Sequence, residues 1–354
     1  MTGKKRVTIH DVAREANTAV STVSKAFNSK SHISDSTRQT ILEIARKLGY
    51  SPSRTASSIS RKPIHIVVLL PEKMNSYMEE ALRGIEHASI AFRDYKLSTK
   101  VHLVPERRSE VYFDILKDYI AQEYDGAIVF PPMDMVHAEE LRENAGIPKE
   151  FPITTVTTDI EQSARLFCSQ CDAFTSGRMA AEFLGLSIPK GGTVAFVTGS
   201  INVHAQRMNL EGFLSEIKKY DLSCVGTYEH MNIPDISREV ACQLIANHPD
   251  IDGIYISTAV STAFIEQLRE LQELSRIKIV ASDLSPQIID YVRAGDIIAS
   301  IFQNPYKQGR MALEYIYEYL ANYGNVSFQR TNIIPQPILN SNSEYFERLY
   351  KERL

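Results

Sequence analysis

From Ile64 onward, short and largely apolar runs alternate with amphipathic stretches, and this alternation restricts the fold more than any other feature of the chain. Ile64–Leu70, Val101–Val104, Ala127–Phe130 and Ile153–Val156 read as buried strands, and a second set follows at Val194–Val197, Gly253–Ile256, Lys278–Ala281 and Ile297–Ile301. Helical periodicity lies between them, as in Met78–Phe92, Leu210–Tyr220, Arg238–Ala246 and Ala263–Leu274. Strands buried on both faces and joined through helices form open parallel sheets. Two such sets predict two lobes. Ligands of these sheets bind outside the carboxyl ends of the strands, which places a site between the lobes.

The first 62 residues do not share this pattern. They hold twelve Lys and Arg against four Asp and Glu, while the whole chain has a net charge of −4. A basic module on an acidic body is either a nucleic-acid head or a solvated arm. Three short helices can be read in it. The first opens on Thr8 and Asp11, spaced as a capping box, with Ile9, Val12, Ala13 and Ala16 as its apolar stripe. Asn17-Thr18-Ala19 is a tight turn, because Asn tolerates left-handed backbone. The second helix covers about Val20–Phe27, with Val23 and Phe27 inward. The third starts after Ser34 and stops at Gly49. Helix, three-residue turn and helix make a helix-turn-helix, whose second helix fits the DNA major groove.

These residues resemble the LacI/GalR family of bacterial repressors. The resemblance rests on Thr8-Ile9-His10-Asp11-Val12-Ala13, Ser21-Thr22-Val23-Ser24-Lys25, Asn28, Thr37-Arg38 and Leu48-Gly49-Tyr50-Ser51-Pro52. It implies that Val20, Ser21 and Lys25 reach base edges and that Thr8, Thr22, Ser24 and Asn28 hold phosphates. It also implies that residues 52–62 are a hinge that becomes helical on DNA. There Ser53, Ala56 and Ile59 would meet the minor groove, with Ile59 as an apolar wedge; the bland alternative is a flexible linker. Three departures stand out. The family usually has Gly at 17 and Val-Ser at 18–19, so Ala19 leaves the recognition-helix cap to Thr18 or to a phosphate. Lys25 stands where Arg is commoner, which exchanges a bidentate fork for a point charge.

The body resembles the periplasmic-binding-protein-like core of the same family, so the likeness covers nearly the whole chain. It is carried by Asp172 with Gly177-Arg178-Met179-Ala180, Leu210-Glu211-Gly212-Phe213, Ser282-Asp283 and Gln303-Asn304-Pro305-Tyr306-Lys307-Gln308-Gly309. The implied organisation is a helix-turn-helix domain over 1–51, the hinge over 52–62, and a two-lobed α/β effector-binding and dimerisation domain over 63–354. The chain would cross between lobes near 165–170, 299–304 and 335–338. The implied effector site uses Asp283 as acceptor for sugar hydroxyls, Gln303 at a crossover, and Asp159 on the opposite lobe; an Asp in such a place can also cap the next helix. Asn209 occupies the position of the family's cleft arginine, with Arg207 two residues earlier, and Thr258-Ala259 replaces the usual Asn-Asp. Tyr77 and Phe130 are either apolar lining or ordinary core aromatics.

No nucleotide-binding glycine loop and no nucleophile elbow is present, so no catalytic residue, cofactor or metal is expected. Cys168-Ser169-Gln170-Cys171 is a C-x-x-C without a second ligand pair at zinc spacing. No stretch is long and apolar enough for a membrane span, no secretory signal follows Met1, and four cysteines suit a cytoplasmic setting. The expectation is a homodimeric repressor of a near-palindromic double-stranded operator, controlled by a sugar-like effector. The rival is a solute-binding protein for sugar uptake, against which the basic head and the absent signal count.

Overall fold

The computed structural model describes residues 7–27, 33–50, 62–106, 108–132, 143, 146–160, 165–322 and 331–353. Asn28 and the hinge residues Ser53, Ala56 and Ile59 lie outside the described residues.

In the head, α1 (Ile9–Glu15) begins where the Asp11 carboxylate accepts the Thr8 backbone N–H at 2.9 Å and the Thr8 hydroxyl at 2.7 Å. Asn17 makes the turn at φ 47°. Helix α2 (Val20–Ala26) has Ala19 at its N-cap with no side-chain hydrogen bond, so Thr18 does not take over the cap. Helix α3 (Asp35–Leu48) is capped by Ser34, which accepts from the Thr37 N–H, and it stops at Gly49 with φ 69°. Val12, Val23, Ala26, Ile41 and Ala45 form one small core, closed by an edge-on contact of Phe27 with Tyr50 at 5.7 Å. Arg38 of α3 donates to the Ala26 carbonyl at 2.8 Å. This satisfies one orphan carbonyl at the end of α2 and places a cation where the helix dipole favours it.

The body has two six-stranded sheets. Lobe 1 contains β1 (Ile64–Pro71), β2 (Leu97–Val104), β3 (Gly126–Val129), β4 (Ile153–Val156), β5 (Phe167–Cys171) and β11 (Thr331–Ile333), in the order β11-β5-β4-β3-β1-β2. Lobe 2 contains β6 (Thr193–Thr198), β7 (Ser223–Glu229), β8 (Gly253–Ile256), β9 (Lys278–Ser282), β10 (Ala299–Phe302) and β12 (Gln336–Ile338), in the order β12-β10-β9-β8-β6-β7. Every pairing is parallel except β10 with β12, so lobe 2 ends in one antiparallel edge strand. The helices between strands are α4 (Ser76–Ala91), α5 (Ser109–Ala121), α6 (Ala173–Ser187), α7 (His204–Ile217), α8 (Pro234–Asn247), α9 (Thr262–Glu270), α10 (Pro286–Ala294), α11 (Pro305–Ala321) and, after β12, α12 (Ser343–Arg353).

The internal strand β5, Phe167-Cys168-Ser169-Gln170-Cys171, is not among the expected strands because Ser169 and Gln170 interrupt its apolar run, while β7 and the start of β2 are missed for another reason. Strand β7 lies at a sheet edge with a half-buried pattern, and the first four residues of edge strand β2, Leu97-Ser98-Thr99-Lys100, are mostly polar. An edge strand faces solvent on one side and lacks the continuous apolar run of a central strand. The segment near 165–170 is not a crossing but leads into β5; the chain leaves lobe 1 after it, at Asp172, which caps α6. The other crossings are at Gln303–Asn304 and Ile334–Pro335.

Each lobe has one very close helix pair, built the same way. In lobe 1, a Cβ on Gly309 of α11 would sit 1.8 Å from the Ala81 carbonyl of α4, and one on Gly84 would sit 2.0 Å from the Tyr306 carbonyl. In lobe 2, a Cβ on Gly177 of α6 would sit 1.9 Å from the Asn209 carbonyl of α7, and one on Gly212 would sit 2.0 Å from the Phe174 carbonyl. These glycines, prominent in the body motifs, serve backbone approach rather than ligand contact.

Candidate functional site

The carboxyl ends of the strands face each other across a cleft with a cavity of about 130 Å³. Lobe 1 supplies Tyr77 after β1, Phe130–Pro132 after β3 and Thr157–Ile160 after β4. Lobe 2 supplies the first turn of α7, Asn232 after β7, Ser257–Ala259 after β8 and Asp283 after β9, with Gln303 on the crossing.

Asp283 is 4% exposed and adopts left-handed backbone at φ 69°. Its carboxylate accepts the Gln303 backbone N–H at 3.3 Å and the Gln303 side-chain amide at 3.1 Å. Burial pushes its pKa well above the usual carboxylate range. It does not cap α10, because Ser285 does, accepting from the Ile288 N–H. Asp159 also lines the cleft, but it is tied to the Arg165 guanidinium, with Nη2 at 2.6 Å from Oδ2 and Nε on Oδ1. It also accepts the Ile160 N–H at 2.8 Å, so with three bonds already made Asp159 offers fewer lone pairs to a ligand than Asp283, which accepts two.

Arg207 lines the cleft and donates to the Ile201 and Asn202 carbonyls at 3.3 and 3.2 Å, bracing the loop after β6. Asn209, expected in the cleft, does not line it: it is 2% exposed and donates to the Tyr255 hydroxyl at 3.1 Å within lobe 2. Two residues along a helix is about 200° of rotation, so Arg207 and Asn209 cannot both face the cleft. Thr258 shares a 3.2 Å hydrogen bond with Nε2 of His230, whose pKa burial lowers to about 4. Tyr77 is half-buried and accepts from Gln308 Nε2 at 2.8 Å. Phe130 lines the cleft while packing into the lobe 1 core.

Gln206 was not legible in advance. Its side-chain carbonyl accepts the Thr198 and Ser257 hydroxyls, both at 2.7 Å, which fixes its amide in the cleft wall. Finding it required α7 to start at His204 rather than Leu210, and that polar first turn has no apolar stripe to mark it.

In the head, Val23 and Ala26 of α2 are buried while Ser21, Ser24 and Lys25 are exposed and Val20 and Thr22 partly so. One face therefore carries hydroxyls and a cation beside a partly exposed apolar residue. Such a face can donate to phosphates and touch thymine methyls. The C-x-x-C pair lies in β5 with both thiols buried, and burial pushes Cys171 up to about 12. Residues three apart in a strand point to opposite faces, so this pair cannot chelate an ion. Among the described residues no group of three His, Cys, Asp or Glu could hold a metal, and no helix is long and apolar enough to cross a membrane.

A small basic reading head and a cleft between parallel-sheet lobes define a class: DNA-binding regulators with a ligand-sensing body. Residues 8–53 match the bacterial regulatory proteins of the lacI family, and residues 66–324 match a periplasmic binding protein domain. Catabolite control protein A of Staphylococcus aureus is 23% identical over 333 residues, covering 89% of this chain and 92% of that one. The ribose operon repressor of Halalkalibacterium halodurans is 25% identical over 260 residues, covering 72% and 73%. A glucose-galactose binding protein from Geobacillus stearothermophilus superposes with a TM-score of 0.69 at 22% identity, over 80% of this chain and 99% of its own. A solute-binding protein from Agrobacterium radiobacter in complex with D-arabinose superposes at 0.71 with 18% identity, over 82% and 99%. The chain belongs to the LacI/GalR family of bacterial transcription regulators.

Proposed function

We propose that this chain is a cytoplasmic, non-catalytic repressor whose homodimer binds a near-palindromic double-stranded operator and whose cleft takes a sugar or sugar derivative. The division of labour is a head over 1–51, a hinge over 52–62 and a sensing and dimerising body over 63–354. The observation that carries the reading is Asp283. A buried carboxylate at the carboxyl end of β9, bonded by an amide and a backbone N–H, suits the hydroxyls of a polyol. The relatives named as catabolite and ribose repressors support the same role. In the head, Val20, Ser21 and Lys25 read bases while Thr8, Thr22, Ser24 and Asn28 hold phosphates; Ser53, Ala56 and Ile59 enter the minor groove. In the cleft, Asp283, Gln303, Thr258, Arg207, Tyr77 and Phe130 contact the effector, and Asp159 supports it through Arg165.

Effector binding changes operator affinity only if the two lobe arrangements bind it differently. The test is operator retention by fluorescence anisotropy, titrated with a panel of pentoses, hexoses and inositols. Retention that shifts with one sugar, and that disappears when residues 1–62 are deleted, fits the proposal. Sugar binding by a chain that never retains DNA returns the solute-binding reading, which the structural likeness of the body to transport proteins favours.

A further inference from the structure

Beyond the three covalent crossings, side chains also join the lobes: the Thr158 hydroxyl accepts the Ala205 N–H at 3.2 Å across the cleft, and Arg353 reaches from lobe 2 to lobe 1 in a buried ion pair. Helix α12 belongs to lobe 2: Phe346 packs with Leu284, Ile289, Phe302 and Ile338, and Arg293 of α10 pairs with Glu347 at 2.7 Å. Its last turn nevertheless reaches lobe 1. Arg353 Nη1 lies 2.7 Å from Oε1 of Glu80 on α4, with the two side chains only 12% and 6% exposed. The Arg353 guanidinium also sits 4.6 Å from the ring centre of Tyr306 and 5.7 Å from that of Phe302. These rings flank the crossing at Gln303–Asn304, so the cation rests on the segment about which the lobes would turn.

We propose that Arg353 is a positioning residue, a latch that holds lobe 2 to α4 beside the second crossing and so sets how readily the cleft changes its opening. The proposal rests on the cleft being the effector site, but its test needs no effector. Helix α4 carries Tyr77 and Met78 into the cleft wall less than one turn before Glu80. A rigid rotation of the lobes separates Glu80 from Arg353 while leaving each lobe's interior intact. The contact is therefore made in one arrangement and lost in another, which is the differential interaction that shifts a two-state equilibrium. Fold stability is a poor explanation of the pair. Burial raises the Glu80 pKa despite the arginine, and a buried ion pair can be replaced by apolar residues at little or no cost in stability.

The test measures the lobe-to-lobe distance by double electron–electron resonance on the full chain. One label goes on Cys242, exposed on α8 of lobe 2, and the other on Asp118→Cys, exposed on α5 of lobe 1. Cys224→Ser removes the partly exposed thiol, and dilution with unlabelled chain removes distances between copies. Arg353→Met should broaden the distribution and add a second separation, changing the ratio of the two arrangements by roughly tenfold. Arg353→Lys, which keeps the charge and loses the planar stacking, should fall between. If Arg353→Met does not fold, the double variant Glu80→Met with Arg353→Met leaves no unpaired buried charge and should show the same shift. A folded double variant with the wild-type distance distribution overturns the latch and leaves the pair as packing.

Discussion

Replacing Asp283 by Asn should make the ligand-free protein more stable while making it a poorer sensor. Asp283 is 4% exposed, and the groups bonded to it are the Gln303 N–H and side-chain amide, which carry no formal charge. Its raised pKa means that the folded state holds a proton which the unfolded state releases above the ordinary carboxylate range. Between the ordinary value and the raised one, the folded state binds more protons, so stability falls as pH rises through that window. Asn is neutral and better suited than Asp to a φ of 69°. Its new amide presents one acceptor and one donor, so the Gln303 side chain has to flip to keep both bonds. Relief of the desolvation cost should exceed that adjustment by about 1 kcal/mol or more at pH 7, which is about 2–4 °C in Tm for a unit of lobe size. Effector affinity should fall about tenfold, because one of the two side-chain oxygens becomes an amide donor and a ligand hydroxyl loses its acceptor, a hydrogen bond worth about 1 kcal/mol or a little more. Thermal denaturation from pH 4 to 8, with calorimetry for the effector, reads both effects. A variant that melts lower than wild type at pH 7, with an unchanged pH slope, would refute the argument and make Asp283 an ionised structural anchor.

The other expectations can be checked singly. Lys25→Ala should cost about 1–3 kcal/mol and relax base preference at one position of each half-site; equal weakening on all sequences in a binding-site selection would make it a phosphate contact. Ile59→Ala should reduce operator bending in a circular-permutation gel with little change in non-specific affinity. Gly309→Ala would put a Cβ 1.8 Å from the Ala81 carbonyl and should lower stability by about 3 kcal/mol in chemical denaturation, as overpacking does. His230 is fully buried with its pKa near 4, so stability should be lost as pH falls from about 6.5 toward 4. That loss is at most about 3 kcal/mol, and His230→Gln should flatten it in acid denaturation curves.

What could be read in advance follows from burial. The central strands β1, β3, β4, β8 and β9 are buried almost throughout, so their apolar runs mark them within a residue or two. Edge strands and the polar start of α7 carry no such mark, nor does β5, which is buried but has Ser169 and Gln170 within its five residues. Asp283 was legible because it directly follows a buried strand, where open α/β sheets place their ligands. Asn209 was misjudged because a linear offset from a family position ignores helix phase. The Gly177 contact with its carbonyl fixes that helix against α6, which turns Asn209 into lobe 2. Arg353 had no sequence signal, since its role comes from a partner more than 270 positions earlier in the chain.

The hydrogen bonds at Asp283 suggest how a ligand in the cleft would be felt by the rest of the body. Gln303 lies on the crossing between the lobes, and both of its donors end on the Asp283 carboxylate. The Gln303 carbonyl accepts from Gln308 Nε2 at 2.9 Å, and the same nitrogen donates to the Tyr77 hydroxyl at 2.8 Å. The chain thus runs from β9 in lobe 2, through the crossing, to the first turn of α4 in lobe 1. A ligand hydroxyl donating to Asp283 shares its carboxylate with the residue that sets the crossing's geometry. Weakening either Gln303 bond loosens the crossing that Arg353 braces from the other side through Phe302 and Tyr306. Ligand occupancy and lobe rotation are then coupled through one shared carboxylate, and a Gln303→Leu substitution should weaken that coupling while Asp283 remains in place.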